Sequence, residues 1–157
     1  GFTDINLPFE SGNPRIIKKW CSNKLALDRF DPKELIKTIK KYNLNVTTNY
    51  MLGFPDETRE EIYKTIEFAK EMHSCGIDVS NFFLVMPLPG TPMFDYCVEN
   101  NQLPRNFNPD NFQWTRANLD NIAIDKLELE NLRDKAWEAC NSELFKAVRK
   151  SWVVKDE

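Results

Sequence analysis

The chain has one histidine, His73, and no serine placed to form a Ser–His pair with it. It also lacks a glycine-rich phosphate loop and any arrangement of two carboxylates suited to acid–base chemistry. His73 falls within a helical stretch, where a lone histidine is packed or solvated rather than catalytic. Cys21, Cys75, Cys97 and Cys140 lie far apart and never in a C-x-x-C pattern. Scattered like this, they read as buried, reduced side chains rather than disulfides or ligands, and the chain has no metal-binding cluster of its own. A net charge of -3 gives nucleic acid no basic surface to bind. No apolar run approaches the ~18 residues of a membrane span, and the first residues carry no signal-peptide pattern. A soluble, cytoplasmic chain without nucleic-acid or membrane partners is expected.

What is present is an ordinary globular composition, 41% hydrophobic and 29% charged over 157 residues, enough for one domain. Gly1 takes the place of an initiating methionine, and Phe2 to Phe9 already reads as a strand. Domains seldom start inside a central element, so the chain is expected to be a fragment.

Strand and helix patterns alternate. After the first strand, Asn13-Pro14 is a helix start, with Ile16, Ile17, Trp20 and Cys21 on one face. Residues 22 to 30 form a connection. Asp31-Pro32-Lys33-Glu34 starts a second helix with a capping-box pattern, and Leu35, Ile36, Ile39 and Tyr42 form its stripe. Asn45 to Leu52 is a strand rich in the residues strands favour. A third helix spans Arg59 to Ser74, with Thr58 and Glu61 as a capping box, Ile62, Ile66 and Ala69 inward, and Gly76 as its stop. Val79 to Met86 is a nearly continuous apolar strand, as parallel sheets require. A short helix over residues 92 to 100 and an irregular connector from Gln102 to Gln113 follow. One long helix opens at Asp125 and Glu128, with the stripe Leu129, Leu132, Ala136, Cys140, Leu144, Val148 and Trp152. Right-handed crossovers and a parallel sheet follow. Three strands leave two edges, which the last helix and connector cover, or which strands outside the chain cover. Edges left open predict self-association.

The polar residues gather at strand ends, the rim where α/β folds place their chemistry. Glu10-Ser11-Gly12 reads either as a turn, with Gly12 supplying backbone freedom, or as a pair of ligand-binding side chains before a helix. In Gly53 to Thr58, Pro55 fixes a turn while Asp56, Glu57 and Thr58 cap and charge-complement the next helix. Alternatively Gly53 bares backbone to a planar ligand flanked by Asn49 and Met51. Pro87 to Pro92 is a rigid turn in a rim position.

In this order and spacing, Glu10-Ser11-Gly12, Gly53-Phe54-Pro55-Asp56-Glu57-Thr58 and Pro87-Leu88-Pro89-Gly90-Thr91-Pro92 resemble the second half of a radical S-adenosylmethionine enzyme. The likeness is closest to the cobalamin-binding-domain subgroup and its tRNA-modifying and coproporphyrinogen-oxidase-like relatives. Asn23-Lys24 is similar to an N-K pair of that family. The resemblance covers residues 1 to 100 and implies the C-terminal half of a partial (β/α)6 barrel with parallel strands. Residues 101 to 157 are then a connector and helical extension. It implies S-adenosylmethionine as cofactor. Glu10 and Ser11 would contact its ribose or amino group, Asn49, Met51 and Gly53 would line the adenine side, and Val85, Met86 and Pro87 would complete the wall.

The family's C-x3-C-x2-C loop, which holds a 4Fe–4S cluster, is absent, so the cluster's ligands would lie outside this fragment, which is expected to be inactive alone. In the intact protein, expected to be an oxidoreductase or a methyltransferase, the cofactor would be cleaved reductively to a 5′-deoxyadenosyl radical that acts on an unidentified small molecule. With a preceding cobalamin domain, methyl transfer to an unreactive carbon would follow. The N-terminal half of the barrel is then the missing partner. Two other readings stand beside this one. A metabolic (β/α) enzyme for phosphorylated substrates would need the phosphate loop that is lacking. A non-catalytic interaction module built on a degenerate half barrel would need only the fold.

Overall fold

The computed structural model describes the backbone of residues 1–153 and the side chains of residues 1–149. Strand β1 (Asp4–Glu10) is followed by helices α1 (Pro14–Trp20) and α2 (Pro32–Lys40), then β2 (Asn45–Leu52), α3 (Arg59–Ser74) and β3 (Val79–Leu84). Beyond them come α4 (Pro92–Glu99), a short 3-10 turn (Pro109–Asn111), α5 (Lys126–Ala139) and α6 (Glu143–Val153). The three strands form one parallel sheet in the order β1-β2-β3. This is an α/β half barrel with a helical extension. Among the described residues no helix is long and apolar enough to cross a membrane.

Local chemistry sets the helix starts. Asn13, Asp31, Thr58 and Thr91 each accept a backbone N–H of the helix they precede. At Thr58 the capping box closes in both directions: Glu61 N–H donates to the Thr58 hydroxyl (3.2 Å), and Thr58 N–H donates to Glu61 Oε2 (2.9 Å). At Asp31 only the forward half forms, because Glu34 pairs with Lys37 (2.8 Å) instead of reaching back.

One face of the sheet is buried against α2, α3 and α5. Its middle layer is aromatic: Phe9, Tyr50 and Phe82 stack across the strands, and Phe68 of α3 meets Phe9 and Tyr50 edge-on. Leu129, Ala136 and Cys140 from the extension join this same core. A smaller cluster of Ile16, Phe54, Val85, Cys97 and Leu119 sits above it at the strand ends.

Three expectations change. Tyr42 lies beyond α2 and is exposed, because the helix ends at Lys40 and its stripe ends at Ile39. The strand expected to reach Met86 ends at Leu84, and Val85 continues it with one bond to Leu52 O (3.1 Å). The single long helix is two. Asn141, at the break, donates to Ser80 O (2.8 Å) and accepts from Ser80 N–H (3.0 Å), so its amide caps the free edge of β3. That bond takes precedence over helix continuation, and Leu144 and Val148 beyond it are exposed. The Trp152 side chain lies outside the described residues. The connector also covers β3, through Leu84 N–H to Trp114 O (2.8 Å) and Asn118 Nδ2 to Val85 O (3.0 Å).

Candidate functional site

The uncovered face of the sheet and the three strand ends above it form a continuous rim. On that face Asn81 Nδ2 donates to Asn49 Oδ1 (3.1 Å), and Asn49 Nδ2 donates to Asn6 Oδ1 (3.3 Å). One amide from each strand therefore ties the sheet together on its inner side. Met51 and Phe83, paired in register, follow toward the rim, and Phe83 packs edge-on against Trp114. Asn6 and Asn81 were missed in the sequence. Their signal was alternation, since both share a face with Asn49 while their neighbours point into the core.

At the end of β1 the register slips between Leu7 and Glu10, and Glu10 takes a left-handed conformation with φ of 64°. That conformation costs a residue with a Cβ about 1–2 kcal/mol and turns the side chain out of the strand's alternation. Glu10 is half-buried beside the Asn49–Met51 segment, and its carboxyl has no hydrogen-bond partner among the described residues. Burial raises its pKa, and Lys24 pulls it back down. An unpartnered, half-buried acceptor at the rim fits the hydroxyl or ammonium groups of a ligand.

Ser11 is placed differently. It is fully buried, shares a hydrogen bond with the Thr65 hydroxyl of α3 (2.9 Å) and accepts Asn13 N–H (3.0 Å). Gly12 is a glycine for space rather than for backbone freedom. A Cβ there would lie 2.6 Å from Phe68 Cβ and 2.9 Å from Lys64 O.

The loop after β2 is fastened from several sides. Gly53 has φ of +81°, and a Cβ on it would meet Leu129 Cδ2 at 2.6 Å. Its side of the backbone thus faces α5. Glu57, expected to complement the helix, folds back so that its Oε2 accepts Gly53 N–H (2.8 Å) and Phe54 N–H (3.1 Å). Asp56 reaches α1: it accepts from Arg15 (2.7 Å), Lys19 (2.7 Å) and Trp20 Nε1 (2.6 Å). Partial burial would raise its pKa, but the bonds from Lys19, Trp20 and Arg15 hold it down at about 2. Arg15 also forks onto Glu61, whose pKa it lowers. Gln102 Nε2 donates to Pro55 O (2.6 Å). Short-range capping logic could not show the partners of Asp56 and Pro55, which come from α1 and from beyond α4.

The loop after β3 makes fewer ties. Val85 and Pro87 are buried, Met86 is half-buried and Leu88 is exposed. Thr91 donates to Leu88 O (2.7 Å) and caps α4 by accepting Phe94 N–H (3.2 Å). Met86, Leu88 and Met93 line one side of a cavity of about 340 Å³, with Lys19, Trp20 and Ser22 across from them. Of the residues singled out in the sequence, Glu10, Asn49, Met51 and Met86 remain accessible at the rim. Ser11, Gly53, Val85 and Pro87 are buried beneath it.

Among the described residues no three His, Cys, Asp or Glu side chains gather to hold a metal ion, so the cysteines do not form an iron–sulfur ligand set. Cys97 and Cys140 sit in separate cores, where burial pushes each thiol up to about 11. Cys21 is pushed up to about 12, by burial first and then by Glu10. Thiols held this far above neutrality are poor thiolate ligands.

No protein-family model matches the chain. It is similar to an uncharacterized methyltransferase of Pyrococcus horikoshii, 38% identical over 106 residues, which are 66% of this chain and 21% of that protein. It is also similar to the tRNA-2-methylthio-N(6)-dimethylallyladenosine synthase of Clostridium tetani, 35% identical over 111 residues, 69% of this chain and 22% of that protein. The synthase of the same name from Vibrio parahaemolyticus is 29% identical over 94 residues, 59% of this chain and 19% of that protein. The chain thus spans about a fifth of the length of these curated relatives, 19% to 22%. Their names agree with the radical S-adenosylmethionine superfamily as a coarse assignment, and none of them mentions cobalamin.

Proposed function

We propose that this chain forms part of the S-adenosylmethionine-binding half of a radical enzyme that transfers a methyl or methylthio group. The observation that carries the proposal is Glu10, an unpartnered carboxyl held at the rim by a left-handed backbone at the end of a barrel strand. The names of the relatives support the type of group transferred.

Glu10 would accept hydrogen bonds from the ribose hydroxyls or the ammonium group. Asn49 and Met51 would border the adenine, and Met86 would close the wall. Ser11 would act at one remove, by fixing the turn that carries Glu10 against α3. With a 4Fe–4S cluster whose ligands would lie outside this chain supplying one electron, S-adenosylmethionine held by these residues would supply hydrogen-abstracting radical chemistry, with methionine as the group released. The residues here bind, orient and shield the cofactor. The finer form of the proposal adds cobalamin, carried by a preceding domain, and methyl transfer to carbon.

The coding sequence upstream of the Gly1 codon supplies the first test. An in-frame C-x3-C-x2-C motif within ~100–200 residues, about one domain, is expected. In the protein that carries it, Glu10→Ala should weaken S-adenosylmethionine binding while the fold survives. An upstream frame without the motif, or a Glu10→Ala protein that binds as tightly as the parent, removes the catalytic reading. A non-catalytic interaction module would then be left.

A further inference from the structure

The carboxamides of Asn6, Asn49 and Asn81 form a row across the open face of the sheet, and the row has a direction. Asn81 Nδ2 donates to Asn49 Oδ1 (3.1 Å) and Asn49 Nδ2 donates to Asn6 Oδ1 (3.3 Å), so the Asn49 nitrogen points toward β1 and its oxygen toward β3. A carboxamide oxygen can accept two hydrogen bonds and its nitrogen can donate two. Asn49 uses one of each on its neighbours and keeps one of each, with no other partner among the described residues. Alone, an asparagine amide turns readily about its last torsion and exchanges oxygen for nitrogen. Turned within the row, Asn49 would set its oxygen against Asn6 Oδ1 and its nitrogen against Asn81 Nδ2, acceptor to acceptor and donor to donor.

We propose that Asn6 and Asn81 are positioning residues that fix the direction of the Asn49 carboxamide, and that Asn49 held this way selects an adenine base through its remaining donor and acceptor. The assignment rests on the cofactor reading given above and adds to it how the base is told from other bases.

Glu10 stands opposite Tyr50 in the register, so one strand spacing of about 4.8 Å separates it from the residue between Asn49 and Met51. A ribose or ammonium group held at Glu10 therefore brings the base over Asn49 and Met51, which share a face of β2. Met51 and Phe83 lie in register on the rim side of the row, and Thr47 lies on its other side; none of them carries charge. What the sheet offers a base here is a neutral donor beside a neutral acceptor. Adenine presents the complement, an amino group next to a ring-nitrogen acceptor, and a carboxamide meets both through two bonds. Hypoxanthine has an oxygen acceptor where adenine has the amino donor, and on the edge that includes N1 it reverses both groups. An asparagine free to turn could meet either base. One held in the row meets only adenine.

Calorimetric titration of the full-length protein with S-adenosylhomocysteine and with its 6-oxo counterpart, S-inosylhomocysteine, tests the assignment. The parent should bind the adenine form about tenfold more tightly, the size of one two-bond base contact. Two acid substitutions then ask opposite questions with the same added charge, because a carboxylate only accepts. Asn6→Asp keeps the Asn49 nitrogen pointing toward β1 and should preserve the preference. Asn81→Asp draws that nitrogen toward β3 and should abolish or reverse it. If Asn81→Asp fails to fold, Asn81→Ala removes the donor that holds the Asn49 oxygen without adding charge, and it should shrink the preference about threefold or more. Equal binding of the two compounds by the parent, or the same shift in both acid variants, overturns the role of the amide row and leaves the cofactor reading standing. If the parent binds neither compound, the cofactor reading fails and the assignment falls with it.

Discussion

Between β2 and α3, both charged side chains of the loop are engaged, Asp56 by α1 and Glu57 by the loop's own backbone, and Leu129 fills the space beside Gly53. Between β3 and α4, the exposed part of the loop bonds mainly to itself: a Cβ added at Gly90 would meet nothing, and Leu88 stands in solvent. The two loops hold equivalent rim positions and share the turn-forming glycine and proline. They differ in how many other elements reach them. The first is fastened by α1, α5 and Gln102, whereas the second is tied mainly to itself.

The largest effect should come from removing the packing beneath the fixed loop. Leu129→Ala empties a fully buried leucine site and should cost about 2–5 kcal/mol in urea unfolding. Gly53→Ala should cost at least the ~1–2 kcal/mol of a left-handed non-glycine residue, plus its clash with Leu129. The double variant should be clearly less unstable than the sum, because the new methyl enters the emptied space. Strict additivity would show that Leu129 is not what requires glycine at this position.

A smaller effect belongs to the clamp on α1. Asp56→Asn should lose about 1 kcal/mol near neutral pH, a figure reduced for the partial exposure of its partners. Since the folded pKa of Asp56 is depressed to about 2, its contribution is present above the unfolded value and is lost as pH falls through about 2. The gap between parent and variant should therefore narrow across acid unfolding curves, and a constant gap would assign the loss to packing rather than charge. Least of all, Leu88→Ala in the free loop should change stability by under ~0.5 kcal/mol. A loss above 1 kcal/mol would end the contrast between the loops.

Much of the fold was legible because its signals are local. The caps Asn13, Asp31 and Thr58, the stop at Gly76 and the alternation in Asn45–Leu52 act within a few residues of themselves. What went unread depends on partners distant in sequence. The apolar period of the last helix continued past Cys140, but Asn141 found the edge of β3 and broke it. Asp56 sits where a helix-capping acid belongs, yet Trp20 and its neighbours on α1 offered it better partners.

By itself the sequence determined the order of strands and helices, the parallel sheet, and the rim formed by Glu10 at the end of β1 and by Gly53 and Pro87 beyond β2 and β3. Hydrophobic periodicity and backbone preferences are properties of short segments. The tertiary structure alone decided that Ser11 faces α3 while Glu10 faces the rim, that Gly53 makes room for Leu129, and that Glu57 is buried with one idle oxygen. Burial and hydrogen-bond partnership depend on which surfaces meet, and only the packed molecule brings those surfaces together.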